Sequence, residues 1–346
     1  MIVRELEYLP RFEPNQKLIV DVETTSFDDD TMGFNPFQGS RVCGYAISDE
    51  NGSNSWYIPI RHRDNKQNLP MENTLRWLKD TLGSGRDIVN HNIKFDAAFW
   101  EFDGVTVKGK LIDTMILARI WKNDLFRLGL DALTDGGKDK RVKEYLKSAK
   151  SKDYGRVPVQ ILGPYAEQDA KITAKLYQQL KRGIRSECHE LVKIEVSLTK
   201  LLHEQRMHGI RVNWDRLKEV WKSSAQKAIQ CQDTIDDIAG HEVDIGNQKE
   251  VDELMIYELG IEPIAFTETG KPRWNAAVLD QIDHPVAQPL KEASHLYHLI
   301  NTYCQGWWER KGDDDRLHPE FNQPGARTGR LSSKNPNFQN VIREAE

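Results

Sequence analysis

Cysteine is scarce in this chain, with four in 346 residues, and no two of Cys43, Cys188, Cys231 and Cys304 form a CxxC pair. That scatter gives no sign of a zinc or redox site, and a reducing cytoplasm is the simplest home. Long apolar runs are missing as well. Nothing approaches the roughly 20 consecutive apolar residues that span a bilayer. The opening MIVRELEYLPRFEPN has no apolar segment behind a basic head, so no signal peptide and no membrane partner are expected. Nor is there an excess of positive charge: the net charge of -5 argues against binding nucleic acid by bulk attraction alone. Repeats and low-complexity tracts are absent too.

What is present is a globular composition, 29% charged and 38% apolar, in a chain long enough for two domains, each with its own core. The stretch 138–156, KDKRVKEYLKSAKSKDYGR, is locally basic. It suits either a stripe that follows a phosphate backbone or a solvated helix face.

The first half alternates strands and helices. KLIVDVETT is an apolar run ending in carboxylates, which predicts a buried strand whose end opens on a site. RVCGYAISDENGSNSWYIPI predicts two strands joined around Asn51-Gly52. A helix (MENTLRWLKDTL), a short strand (DIVN) and a helix (NIKFDAAFWEF) follow. From LIDTMILARIW the chain reads as mainly helical through YAEQDAKITAKLYQQLKRG. Together these predict an α/β fold, a mixed sheet flanked by helices. From about Ser186 the texture becomes helical. ELVKIEVSLTKLLHEQRMHG places Leu191, Ile194, Leu198, Leu201 and Leu202 on one face, with Gly209 as its stop. DRLKEVWKSSAQKAIQCQDTIDDIAG follows from an Asp215 cap to Gly240, and the two helices are expected to form a projecting antiparallel pair.

Asp21 and Glu23, two apart on the predicted strand, leave the same face side by side. Neighbouring carboxylates at the end of an apolar strand repel and resist desolvation unless a cation neutralises them, and hard oxygen donors suit magnesium or manganese. Alone, Asp-x-Glu also describes a solvated strand end. Asn92 with Asp96, and Tyr165 with Asp169, are each four apart in a helical pattern, so each pair shares a helix face.

The order of these residues, strand Asp/Glu, helix Asn/Asp, helix Tyr/Asp, resembles the DEDDy exonucleases, the proofreading superfamily. The resemblance implies a ribonuclease H-like exonuclease domain over 1–185 acting on DNA 3′ ends with two divalent ions, Mg²⁺ or Mn²⁺. Asp21, Glu23 and Asp169 would hold one ion, and Asp21 and Asp96 would position the second. Tyr165, with Glu23, would orient the attacking water. Asn92 would support the strand end, and Thr24 would touch the terminal nucleotide. Phe27 falls where the family places a wedge between the last two bases, and ordinary core packing is its competing reading.

The tail PEFNQPGARTGRLSSKNPNFQNVI is the most specific stretch of the sequence. It resembles the approach to the palm of family A DNA polymerases, the bacterial DNA polymerase I and phage type. That implies a minor-groove contact from Arg330 near the primer terminus, with Asn337, Gln339 and Asn340 close by. By the same resemblance 186–315 is a mainly helical thumb and 316–346 the start of a palm. The family's palm carboxylates and its fingers helix find no match within the chain. The expected partners are therefore a single-stranded DNA 3′ end, a primer-template duplex, and a C-terminal palm-and-fingers half in cis or trans. The setting implied is the cytoplasm of a bacterial or phage-infected cell. Two rival readings are a DNA-clamping or docking half of a split polymerase with little nuclease activity, and a ribonuclease of the DEDD superfamily.

Overall fold

The computed structural model describes residues 1–26, 35–134 and 140–342. They form two units, one of 1–210 with 312–339 and one of 211–311 with the segment from 340. No helix among the described residues is long and apolar enough to cross a membrane.

The first unit is built on five strands: β1 (Leu18–Thr25), β2 (Arg41–Asp49), β3 (Ser55–Pro59), β4 (Ile88–Asn90) and β5 (Leu111–Asp113). Their order is β3-β2-β1-β4-β5. β2 runs antiparallel to β1 and β3, whereas β4 runs parallel to β1 and β5 parallel to β4. The sheet is therefore mixed, as the alternating sequence pattern predicted. The β2–β3 turn spans more than Asn51-Gly52, because the Asp49 carboxylate accepts from the backbone N–H groups of Asn51, Ser53 and Asn54. β5 was not read as a strand, because Leu111–Asp113 runs directly into α3 and LIDTMILARIW reads as one apolar helical stretch.

Helices α1 (Met71–Leu82), α2 (Ile93–Phe102), α3 (Thr114–Trp121), α4 (Leu130–Leu133), α5 (Arg141–Ser148), α6 (Val159–Gly183) and α7 (His189–His208) complete this unit. Strand alternation divides the core into two layers. Leu18, Val20 and Val22 pack with Leu78, Leu82, Ala97 and Trp100 of α1 and α2, while Ile19 and Val89 pack with Leu162, Ala166 and Ala170 of α6. The sheet comes close to its own side chains at Gly44, where a Cβ would lie 2.1 Å from the Tyr57 hydroxyl oxygen.

α7 buries only part of the predicted face: Leu202 is buried as read, and Leu198 is half-buried. Leu191, Ile194 and Leu201 are exposed, and Thr199, Leu202, His203 and Arg206 are buried. The polar members of the buried face fasten the returning segment 312–339. Gln323 accepts from Lys94 Nζ at 3.0 Å and from Thr199 at 3.2 Å, and donates to the backbone of Glu195 at 2.9 Å. Arg206 meets Glu320 at 3.0 Å, and the His318 ring stacks on Phe37 with centroids 3.7 Å apart. Apolar periodicity cannot reveal a helix held through hydrogen bonds.

The second unit is mainly helical: α8 (Trp214–Ala239), α9 (Gln248–Asp252), α10 (Ala276–Leu279) and α11 (Ala287–His298). Its core gathers Ile235, Val251, Leu254, Met255, Leu279 and Leu290. The cap of α8 is Asn213, whose side chain accepts from Arg216 N, so the Asp215 cap is corrected by two residues. Gly240 ends α8 with φ +78°, as read. α7 belongs to the first unit, where it packs on β5, α2 and α3, and α8 belongs to the second.

Candidate active site

The site lies where β1 outruns its neighbour. β4 pairs with β1 only at Leu18 and Ile19, so the rest of that edge of β1 has no strand beside it. Side chains take over from the ladder there. Asp96 of α2 accepts the Val22 N–H at 3.1 Å, and Asn90, the last residue of β4, donates Nδ2 to Asp21 Oδ1 at 3.1 Å. On the other edge a bulge between Glu23 and Thr24 breaks the pairing with β2. Bulges of this kind re-aim side chains beside functional sites.

Asp96 is held in place by a carboxylate one strand away. Asp113, ending β5, accepts from Asn92 N at 2.9 Å and Ile93 N at 3.1 Å at the start of α2, and from Met115 N at 2.9 Å at the start of α3. One side chain thus satisfies orphan N–H groups of two helices. Asn92 itself precedes α2, exposed and in the left-handed region at φ +61°, so it does not share a helix face with Asp96. The hydrogen-bonded support of the strand end comes from Asn90.

Burial, and after it the charge of Asp21, hold the Asp96 carboxyl well above the usual carboxylate range. From the α6 face come Tyr165 and Asp169, both buried, four apart on one helix face as read. The Tyr165 proton is held on by burial and then by the charges of Asp169 and Glu23. Tyr154, a residue the sequence did not single out, shares this field: burial, then Glu23, Asp169 and Asp21, push its hydroxyl up to about 12. It sits on a 3₁₀ turn, Tyr154–Arg156, braced to the end of β1. Arg63 Nε donates to Asp153 at 2.7 Å, Arg63 N donates to Gly155 O at 2.8 Å, and Arg63 Nη2 donates to Ser26 O. A Cβ on Gly155 would lie 2.4 Å from Thr25 Oγ1, so only glycine lets the turn approach.

The structure therefore brings Asp21, Glu23, Asp169, Tyr165 and Tyr154 into one electrostatic neighbourhood, and the charge of Asp21 also bears on Asp96. Among the described residues no group of three or more His, Cys, Asp or Glu side chains is arranged to hold a metal ion. The donor chemistry nonetheless fits a hard divalent cation, because the set is all oxygen and burial and the charge of Asp21 both oppose the charged form of the Asp96 carboxyl, which a cation would favour. Thr24 is buried beside the bulge, and Phe27 lies outside the described residues. Arg330 is exposed on the returning segment. Gln339 donates Nε2 to Leu331 O and accepts from Ser333 N, and Asn337 accepts from Gln339 N, so both side chains brace their own loop. The Asn340 carbonyl accepts from the Tyr303 hydroxyl.

These features define an oxygen-donor acidic centre at the end of a mixed sheet. Residues 11–185 match the 3′-5′ exonuclease family model and residues 214–346 match DNA polymerase family A. The chain belongs to the family A DNA polymerases and carries their 3′-5′ exonuclease domain. A DNA-directed DNA polymerase of Pseudomonas phage M6 is 28% identical, covering 98% of this chain and 54% of the phage protein. DNA polymerase I of Pseudomonas aeruginosa is 27% identical, covering 98% of this chain and 38% of the relative. The chain thus spans about half the length of the phage relative and less of the bacterial one. Its fold is similar to the POL domain of Pol1 from M. smegmatis, solved with DNA primer-template and dNTP, with TM-score 0.66 and 21% identity over 94% of this chain and 53% of that one.

Proposed function

We propose that 1–185 is a proofreading exonuclease that removes nucleotides one at a time from DNA 3′ ends, that 186–315 is a thumb gripping duplex DNA, and that 316–346 begins a palm. The observation that carries this reading is the meeting of Asp21, Glu23, Asp169 and Tyr165 in one field, with Asp96 beside Asp21. Asp21, Glu23 and Asp169 would hold one divalent ion, and Asp21 with Asp96 a second. Such a pair supplies charge stabilisation to the attacking and leaving oxygens at phosphorus. Tyr165, kept protonated, donates its O–H to orient the attacking water, and Glu23 accepts from that water. Asn90 and the Val22 N–H fix Asp21 and Asp96. Thr24 meets the terminal nucleotide. Template-directed synthesis would require palm and fingers beyond these elements, in cis or trans, with Arg330 reading the minor groove at the primer terminus.

The test is degradation of a 5′-labelled single strand in Mg²⁺ by the chain and by Asp21→Ala with Glu23→Ala. Loss of 3′ shortening in the double variant is expected, with thermal stability in EDTA equal or higher because repelling carboxylates are gone. Continued shortening in the variant would remove the site assignment. RNA shortened as fast as DNA would favour a ribonuclease.

A further inference from the structure

Phe126, in the loop between α3 and α4, is 90% exposed, the most exposed large apolar side chain among the described residues. The ring is not on a loose loop. Arg119 Nη1 donates to the carbonyls of Asn123 and Leu125 at 2.8 and 2.9 Å, which fixes the loop's curvature. Arg119 Nε donates to Pro324 O at 3.3 Å and Asn123 Nδ2 to Arg327 O at 3.0 Å, which fasten it to the returning segment. The Arg327 guanidinium lies over the Phe126 ring, 4.6 Å from its centroid. A solvent-facing ring held between two braced segments, with a guanidinium on one face, keeps its other face open to a flat partner.

Charge indicates which partner. In 119–128 and 323–330 the cations are Arg119, Lys122, Arg127, Arg327 and Arg330, against the single anion Asp124. This local excess stands out in a chain of net charge -5. Within 119–128 and 323–330 Phe126 is the one exposed large apolar side chain, so a protein partner would find a single ring there. A single nucleic-acid strand offers planar bases for the ring and phosphates for the cations.

We propose that Phe126 and Arg327 form a stacking platform for an unpaired base of the DNA strand delivered to the exonuclease site, a contact that rests on the nuclease reading. The platform sets affinity for polynucleotide and leaves the reaction at phosphorus untouched. Because each base has a π face, the contact is tolerant of sequence.

The full chain is titrated with a fluorescein-labelled oligodeoxythymidylate in EDTA, where binding is read without cleavage. Base-aromatic stacking of the usual strength predicts that Phe126→Ala raises Kd roughly 5- to 100-fold. Phe126→Trp should bind within about threefold of the parent, and its emission, after subtraction of the parent's, should change on adding DNA. A second readout is hydrolysis of thymidine 5′-(p-nitrophenyl phosphate) in Mg²⁺, a substrate with no flanking base, on which Phe126→Ala should match the parent. An unchanged Kd in Phe126→Ala, or an emission difference that ignores DNA, overturns the platform. If the parent fails to hydrolyse the nucleotide ester while Phe126→Ala still binds DNA weakly, the nuclease reading falls and the platform stands.

Discussion

The hydroxyl of Tyr165 is buried among carboxylates, and both burial and their charge keep its proton on. A phenol in that state cannot act as a base near neutral pH, so its contribution is a directed O–H. Tyr165→Phe keeps the ring and removes only that group. The exonuclease rate should fall about tenfold to a thousandfold, as for other single positioned donors, while Mg²⁺ titration midpoints stay put. A midpoint displaced as far as that of Asp169→Ala would make Tyr165 a support of the metal site. His62 offers a second test away from the site. Its Nδ1 meets Val157 O at 3.0 Å and its Nε2 meets the Tyr57 hydroxyl at 2.7 Å, and burial lowers the imidazole to about 4. Between pH 6.5 and 4 the unfolded chain therefore takes up a proton that the folded chain refuses. Stability contributed by neutral His62 is whole above pH 6.5 and declines towards pH 4, by up to roughly 3 kcal/mol. Thermal unfolding of His62→Gln followed across this range should show a flatter pH profile than the parent.

At the scale of elements, the turn Tyr154–Arg156 bears on the site through its backbone. Gly155→Ala places a methyl against Thr25 and should push the turn, with Tyr154, off the end of β1. Overpacking of this kind costs about 1–3 kcal/mol, and urea unfolding would measure it. An Ala variant as stable as the parent would show that the turn moves freely. The same turn marks the edge of what the sequence discloses. Asp21 with Glu23, and Tyr165 with Asp169, are legible because strand and helix periods put each pair on one face. Asn90 is legible in hindsight, a polar residue closing an apolar strand beside the strand that carries Asp21. Tyr154 and Arg63 are not, since neighbours brought together across 90 residues by a hydrogen bond leave no local pattern. α7 misled for a related reason. Its leucines follow a helical period, yet the buried face is held by Thr199, His203 and Arg206, and periodicity counts only apolar residues.

At the scale of the whole molecule, the first unit is assembled from two stretches of chain, with the second unit strung between them. The points of departure and return lie side by side: Arg316 Nη1 donates to His208 O at 2.7 Å, and His318 Nδ1 meets Arg206 O at 2.7 Å. A Cβ on Gly209 would lie 2.6 Å from the His318 ring, so the two passes leave room for glycine alone. Chain ends this close are those at which insertion and rejoining are tolerated. Residues 211–311 then behave as an excisable cassette. Replacing them with a short Gly/Ser bridge should leave the first unit folded, with each halving of loop length contributing only about 0.6 kcal/mol. Native-state proteolysis of the spliced chain checks this, and a chain degraded like an unfolded one refutes it. For a ribosome the same architecture imposes an order: the lock made by Gln323 on Lys94, Thr199 and Glu195 cannot close until the whole cassette has been synthesised. A nascent acidic centre would therefore emerge long before the clasp that completes its scaffold.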